Sequence, residues 1–300
     1  MSAPQRPPTA VRRIAFLGIG KMGLPLAEHL LHAGHDVVAI EPAAARRRAA
    51  AAKGMRCVSD LGDAPTDRTL FVSSLPDDET LLAVAARIAT HPGIRRTWID
   101  TSSVSLAASR AAAATAARAG VSHLRATVSG NAAMASAAGL TVLASGPREL
   151  YDDALPLLQL WGPHQFYLGA ADEARLMKLV INLMVAHTAA MLAEALTLGQ
   201  KGGLQWQDLW QVISASAVAS PIVQAKALPL RARDYSPTFT VEQMHKDLGL
   251  ILQAGRQLGV ALPLTRLVDD GQLAAMAAGL GAQDYAAVIK VAELAAGIEA

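Results

Sequence analysis

Short apolar runs alternate with stretches of helical period through the first half of the chain, and helical period alone fills most of the second. Ile14–Gly18, Asp36–Ile40, Leu70–Ser74, Thr97–Asp100, Val121–Val128 and Leu140–Ala144 read as strands, apolar enough to be buried on both faces. Between them, Leu24, Ala27 and Leu30 share one helix face. Pro42–Ala52 begins with a proline in its first turn, where the missing N–H costs nothing. Asp77, Asp78 and Glu79 favour a helix start through the dipole, an alanine-rich helix runs to Ala119, and Ala132–Ala138 reads as a short helix. Alternation at this interval predicts an α/β fold with a doubly wound parallel sheet.

Past Gly169 the texture changes. Ala170–Lys201 holds no proline and a single glycine, Gly199, and further helical stretches follow at Gln205–Ala217, Thr240–Leu258, Pro263–Ala278 and Asp284–Ala296. These predict an all-α C-terminal domain joined to the sheet by one long helix. The chain is expected to divide into a flexible tail at 1–10, a first domain at 11–169 and a helical domain at 170–300. Leu176, Leu179, Val180, Leu183, Met184 and Val185 wrap most of the long helix, so several neighbours must cover it. A second copy of the chain is the simplest of them.

Composition narrows the function classes. A net charge of +2 is too small to argue for nucleic acid, and Arg46-Arg47-Arg48 reads as a solvated helix face. One cysteine, Cys57, excludes an intrachain disulfide and fits a reducing compartment. Met1–Ala10 is polar and proline-rich, without the apolar core of a signal peptide. The most apolar run, Leu179–Ala193, contains Asn182 and His187 and is shorter than a membrane span. The expectation is a soluble cytoplasmic protein with no nucleic-acid or membrane partner.

The chemistry starts at the first strand, which breaks into Gly18-Ile19-Gly20-Lys21-Met22-Gly23 before an amphipathic helix. Gly18 allows the sharp turn, Gly20 lets the backbone approach a pyrophosphate, and Gly23 lets helix and strand pack closely. The helix N-terminus offers its free N–H groups to the anion. Glu41 closes the second strand eighteen residues past Gly23, where a carboxylate suits the ribose hydroxyls of NAD and repels a 2′-phosphate. Leu75-Pro76 and Ser103 follow strands, so they are candidates to line the same cofactor. On the long helix Lys178 and Asn182, four apart, share a face among apolar side chains. A lysine so placed is partly desolvated, which suits general acid–base work. Spacing alone still favours the plainer reading, a surface lysine beside a satisfied core asparagine. His187 lies nine residues past Lys178, on the opposite face, and is left out of the site. No His, Cys and carboxylate cluster has metal-ligand spacing, so no metal is expected.

These residues together resemble the β-hydroxyacid dehydrogenases from Ile14 to about Glu293, in four blocks. They are GIGKMGLPLA at Gly18–Ala27, ATVSGNAAMASAAGLTVLASG at Ala126–Gly146, KLVIN at Lys178–Asn182 and MHKDLGL at Met244–Leu250. The resemblance implies a Rossmann-type domain and reversible hydride exchange between a nicotinamide cofactor and a small carboxylate substrate, a hydroxyacid. It implies Lys178 as general acid–base with Asn182 beside it. Ser129, Gly130 and Asn131 would lie at the substrate carboxylate, and Lys246 at the edge of cofactor and substrate. It also implies a homodimer, or a homotetramer built from dimers. The chain departs from the family's Asp-Ala-Pro-Val-Ser-Gly-Gly with Arg125-Ala126-Thr127-Val128-Ser129-Gly130-Asn131, and Ile181 replaces the first of a frequent Asn-Asn pair. Pro42 stands where NADP-preferring relatives often carry arginine, which points to NAD, while Arg46 keeps NADP open. Two other readings share the fold: an imine reductase, whose members usually lack lysine at the position of Lys178, and a non-catalytic dinucleotide-binding oligomerisation module.

Overall fold

The computed structural model describes residues 10–92 and 96–298, so nearly all of the tail expected at 1–10 lies outside the described residues. The first half runs β1 (Arg13–Leu17), α1 (Gly23–His32), β2 (Asp36–Ile40), α2 (Ala44–Ala51), β3 (Arg56–Val58), β4 (Leu70–Ser73), α3 (Asp78–Thr90), β5 (Thr97–Asp100), α4 (Leu106–Arg118), β6 (Ser122–Ser129), α5 (Ala132–Ser136), β7 (Thr141–Ser145), α6 (Arg148–Leu158) and β8 (His164–Tyr167). The second half runs α7 (Glu173–Lys201), α8 (Trp206–Ala215), α9 (Pro221–Arg231), α10 (Val241–Leu258), α11 (Pro263–Ala277) and α12 (Val288–Ala295).

The eight strands form one sheet in the order β3-β2-β1-β4-β5-β6-β7-β8. Alternate residues of β1 face opposite sides. Ile14 and Phe16 join the core with Leu26, Leu30, Val72 and Leu124, while Ala15 and Leu17 join that with Phe71, Leu81, Ile88 and Trp98. The sheet is parallel except that β7 runs antiparallel to β6, a departure from the all-parallel expectation. Only residues 130–140 link those two strands, too short a connection for a crossover. Four elements escaped the sequence pattern. α6 and α9 contain Pro156 and Pro229, which interrupt a helical signature, and β3 and β8 are short strands at the sheet's two edges. Pro42 lies before α2 rather than in its first turn.

The chain divides into two compact units within α7, between Lys178 and Leu179, nine residues beyond the boundary expected at 169/170. The reason is the polar anchoring of the helix start. Ser145 Oγ donates to the Ala171 carbonyl at 2.9 Å and accepts from Ala174 N–H at 3.1 Å. Thr127 Oγ1 donates to the Ala174 carbonyl at 3.0 Å. The Asp172 carboxylate receives Ser109 Oγ at 2.8 Å, Arg110 Nε at 2.9 Å and Arg125 Nη2 at 3.1 Å. By length and hydropathy α7 also meets the measure of a membrane span, contrary to the shorter run counted in sequence. A core helix passes the same measure, and the buried Asn182 hydrogen-bonded on α7 is a group that helix keeps within protein.

In the helical unit α10 begins in a capping box between Thr240 and Gln243 and ends at Gly259, in the left-handed region at φ 71°. Met244, Leu248 and Ile251 bury one face of it.

Candidate active site

The glycine turn is built as its spacing requires. Gly18 has φ 86°, and a Cβ there would come within 2.5 Å of the Ser74 carbonyl oxygen. A Cβ on Gly23 would lie 2.0 Å from the Gly18 carbonyl oxygen, so only glycine permits this helix-to-strand packing. Gly20 is different. A Cβ there would meet nothing within 4 Å, so its backbone borders open space, as a cradle for a pyrophosphate demands. Ile19 is buried, Met22 half-buried and Lys21 exposed.

Glu41 is buried beside that turn. Its Oε2 accepts from Ile19 N–H at 3.2 Å and its Oε1 from Ala43 N–H at 2.9 Å. Arg46 Nη1 stands 3.6 Å from Oε1, and Arg47 is not simply solvated: its Nη1 donates to the Glu41 and Pro42 carbonyls. One carboxylate thus lies against the loop, with a guanidinium beside it. The open glycine backbone and this carboxylate fit the diphosphate and the ribose of a dinucleotide.

Leu75 N–H donates to Ser102 Oγ at 2.9 Å, which ties the loop after β4 to the loop after β5. Pro76 is exposed and Ser103 half-buried on those loops. Beyond β6, Ser129 is half-buried and Gly130 has φ 138°, with Leu140 Cδ2 within 2.5 Å of a built Cβ. Asn131 also has a task within the fold. Its Oδ1 caps α5 by accepting from Met134 N–H at 3.0 Å.

Lys178 is half-buried, one helical turn before Asn182. Asn182 is buried, and its Nδ2 donates to Asp247 Oδ2 at 2.6 Å. Lys246 Nζ lies 3.7 Å from Asp247 Oδ1. Asp247 was not singled out by sequence reasoning; its place directly after Lys246 in the MHKDLGL block was the available signal. His187, left out of the site, faces Thr265 Oγ1 at 3.0 Å, and burial lowers its pKa. Among the described residues no group of three or more His, Cys, Asp and Glu side chains gathers as a metal site would.

Known proteins match this chain over nearly its whole length. Residues 13–169 match the family model described as the NAD binding domain of 6-phosphogluconate dehydrogenase. Residues 173–292 match that described as NAD-binding of NADP-dependent 3-hydroxyisobutyrate dehydrogenase. The chain belongs to the β-hydroxyacid dehydrogenase family. It is 31% identical to 2-(hydroxymethyl)glutarate dehydrogenase of Eubacterium barkeri, over 95% of this chain and 96% of that one. It is 34% identical to L-threonate dehydrogenase of Cupriavidus necator, over 93% and 96%. Among solved structures, the 3-hydroxyisobutyrate dehydrogenase of Mycobacterium tuberculosis with L-serine superposes with a TM-score of 0.86 at 29% identity, covering 94% of this chain and 99% of that one. As a β-hydroxyacid dehydrogenase the chain is an oxidoreductase that uses NAD or NADP on hydroxyacids.

Proposed function

We propose that this dehydrogenase interconverts a small β-hydroxyacid and its semialdehyde or keto form, with Lys178 as general acid–base and NAD as the preferred cofactor. The observation that carries the reading is the Asn182 amide locked on Asp247, one helical turn from Lys178. A buried amide hydrogen-bonded to a buried carboxylate keeps its helix face in one arrangement, which a catalytic neighbour needs. Bound at Gly18–Gly23 and Glu41, the nicotinamide cofactor supplies the hydride acceptor or donor.

In the oxidising direction Lys178 Nζ takes the hydroxyl proton of the substrate; in the reducing direction its ammonium returns a proton to the developing alkoxide. Asn182 orients Lys178 or the reacting oxygen. Ser129 Oγ and the backbone N–H groups at Gly130 and Asn131 receive the substrate carboxylate, and Lys246 adds a positive charge at the edge of the site. Leu75, Pro76 and Ser103 line the nicotinamide half. Glu41 receives the ribose hydroxyls, and the same carboxylate opposes a 2′-phosphate. The working form is a homo-oligomer joined mainly through its helical domain.

The test is an absorbance screen for reduced nicotinamide with L-threonate, 2-(hydroxymethyl)glutarate and 3-hydroxyisobutyrate, with NAD and NADP in parallel. The relatives above are named for these three acids. Turnover of at least one acid, faster with NAD, is expected; no turnover of any β-hydroxyacid with either cofactor refutes the reading.

A further inference from the structure

Asp100 is fully buried at the carboxyl end of β5, and its two oxygens tie three segments together. Oδ1 accepts from Ser73 Oγ at 2.5 Å and from Ser102 Oγ at 2.6 Å. Oδ2 accepts from Arg175 Nη2, while Arg175 Nη1 donates to the Ser102 carbonyl. The Ser102 hydroxyl in turn holds Leu75 N–H. Arg175 is buried in the first turn of α7, and Lys178 follows three residues later, about 4.5 Å further along the axis on an adjoining face.

Stability alone is a poor reason for an ion pair at this depth, because desolvation offsets much of the attraction and apolar residues often do as well. Position is a better one. A guanidinium fork reaches two acceptors at once, so it fixes helix against loop in both distance and rotation. Two residues at which this chain departs from its family's sequence bind the same turn. Arg125 pairs with Asp172, and Thr127 donates to the Ala174 carbonyl; the Thr127 hydroxyl provides a donor that the family's proline lacks.

We propose that Arg175 is a positioning residue: by bridging Asp100 and the Ser102 carbonyl it sets the axial position of Lys178 against the loops that carry Leu75, Pro76 and Ser103. The proposal rests on Lys178 being the acid–base group. Small displacements suffice for a large effect, since a misplacement of about 1 Å can cost about a hundredfold in rate.

The experiment compares the full-length wild type with R175K, the double variant R175M/D100N and K178A, using the best of the three hydroxyacids above, protonated and deuterated at the carbinol carbon. The double variant removes both charges together, so no unpaired charge is left buried. Its turnover is expected to fall about tenfold or more. Its KM should change much less, and its primary isotope effect should rise as transfer becomes limiting. R175K, which keeps the charge but not the fork, is expected to lie between. Wild-type turnover and isotope effect in the double variant, whatever its melting temperature, overturn the proposal; if that variant does not fold, the same result in R175K does so. K178A separates the two readings. Wild-type turnover in K178A removes Lys178 and the positioning role together, whereas a dead K178A beside unaffected Arg175 variants removes the positioning role alone.

Discussion

The Asn182 amide donates to the Asp247 carboxylate at 2.6 Å, joining α7 to α10 through two buried side chains. An unsatisfied buried donor costs about 1–3 kcal/mol, and a charged acceptor makes the lost bond stronger than a neutral one. Replacing the carboxylate by an amide leaves Asn182 one carbonyl acceptor, but the bond loses its charge assistance and an N–H₂ takes the place of the oxygen 3.7 Å from Lys246 Nζ. Asp247→Asn is therefore expected to lower turnover about tenfold to a hundredfold while the far-ultraviolet circular dichroism stays native. A wild-type turnover number would show that Asn182 holds its place without Asp247.

Lys178→Ala addresses the proton itself. Removing a positioned acid–base group costs typically about a hundredfold to ten-thousandfold. Cofactor affinity, followed by nicotinamide fluorescence, should stay near the wild-type value, because the glycine turn and Glu41 are untouched. Retention of most of the turnover, with chemistry limiting, would mean that another group moves the proton.

Why some of this was legible in sequence and some was not follows from the range of the interactions. Gly18 and Gly23 announce themselves because the positive φ of Gly18 and the approach of Gly23 to the Gly18 carbonyl are set within a few residues of chain. The interior strands are visible as apolar runs, since both their faces are covered. The cap that Asn131 places on α5 is not legible as such, because it is decided by the N–H of Met134 and not by Asn131 alone. The Asp100–Arg175 pair and the Asn182–Asp247 bond span 75 and 65 residues, so no local period encodes them. The prolines of α6 and α9 hid two helices that tertiary packing nonetheless completes.

The proposed preference for NAD rests on Glu41 and Arg46 and is open to a direct test. The Glu41 carboxylate stands within 3.6 Å of the Arg46 guanidinium, so removing it leaves a cation where a 2′-phosphate would lie. Wild type is expected to have the higher specificity constant with NAD. Glu41→Ala should shift the NAD-to-NADP ratio toward NADP by about tenfold or more, equivalent to about 1.4 kcal/mol. Steady-state kinetics with both cofactors measures it, and a wild-type preference for NADP would make Arg46 the determinant.

His123 predicts an acid-side loss of stability. It stacks on Trp98 with ring centroids 4.2 Å apart, and burial pushes its imidazole from 6.5 down to about 3. The Asp100 carboxylate opposes that shift, and the Arg125 and Arg175 guanidiniums add to it. Between pH 6.5 and about 3 the unfolded chain therefore holds the extra proton, and stability falls as pH falls through that window. The slope contributed is up to about 1.4 kcal/mol per pH unit. Asp100 is held below its usual 3.8, so its own loss lies at the acid end. His123→Phe should flatten the melting temperature against pH between about 4.5 and 6.5, the upper part of that window. An unchanged slope would refute the assignment, because His35 and His187, whose pKa values are also lowered, remain in the variant.

The outer face of α7 predicts assembly. Met184, Met191 and Leu198 are 64%, 47% and 76% exposed, and they recur every seven residues. Seven residues fall about 20° short of two full turns, so the three side chains form a nearly straight apolar stripe. Val180, 46% exposed, widens it by one turn. A stripe of this kind suits packing between the helices of two copies, where a two-fold axis lets one patch serve both partners. Size exclusion with light scattering at micromolar concentration should give a multiple of the 31.3 kDa chain mass. Met184→Glu with Leu198→Glu, which places two carboxylates in each copy of the stripe, should shift the protein toward a single chain while the dinucleotide turn still binds its cofactor. A wild-type mass of one chain, or an unaltered oligomer in the double variant, would place the interface elsewhere or nowhere.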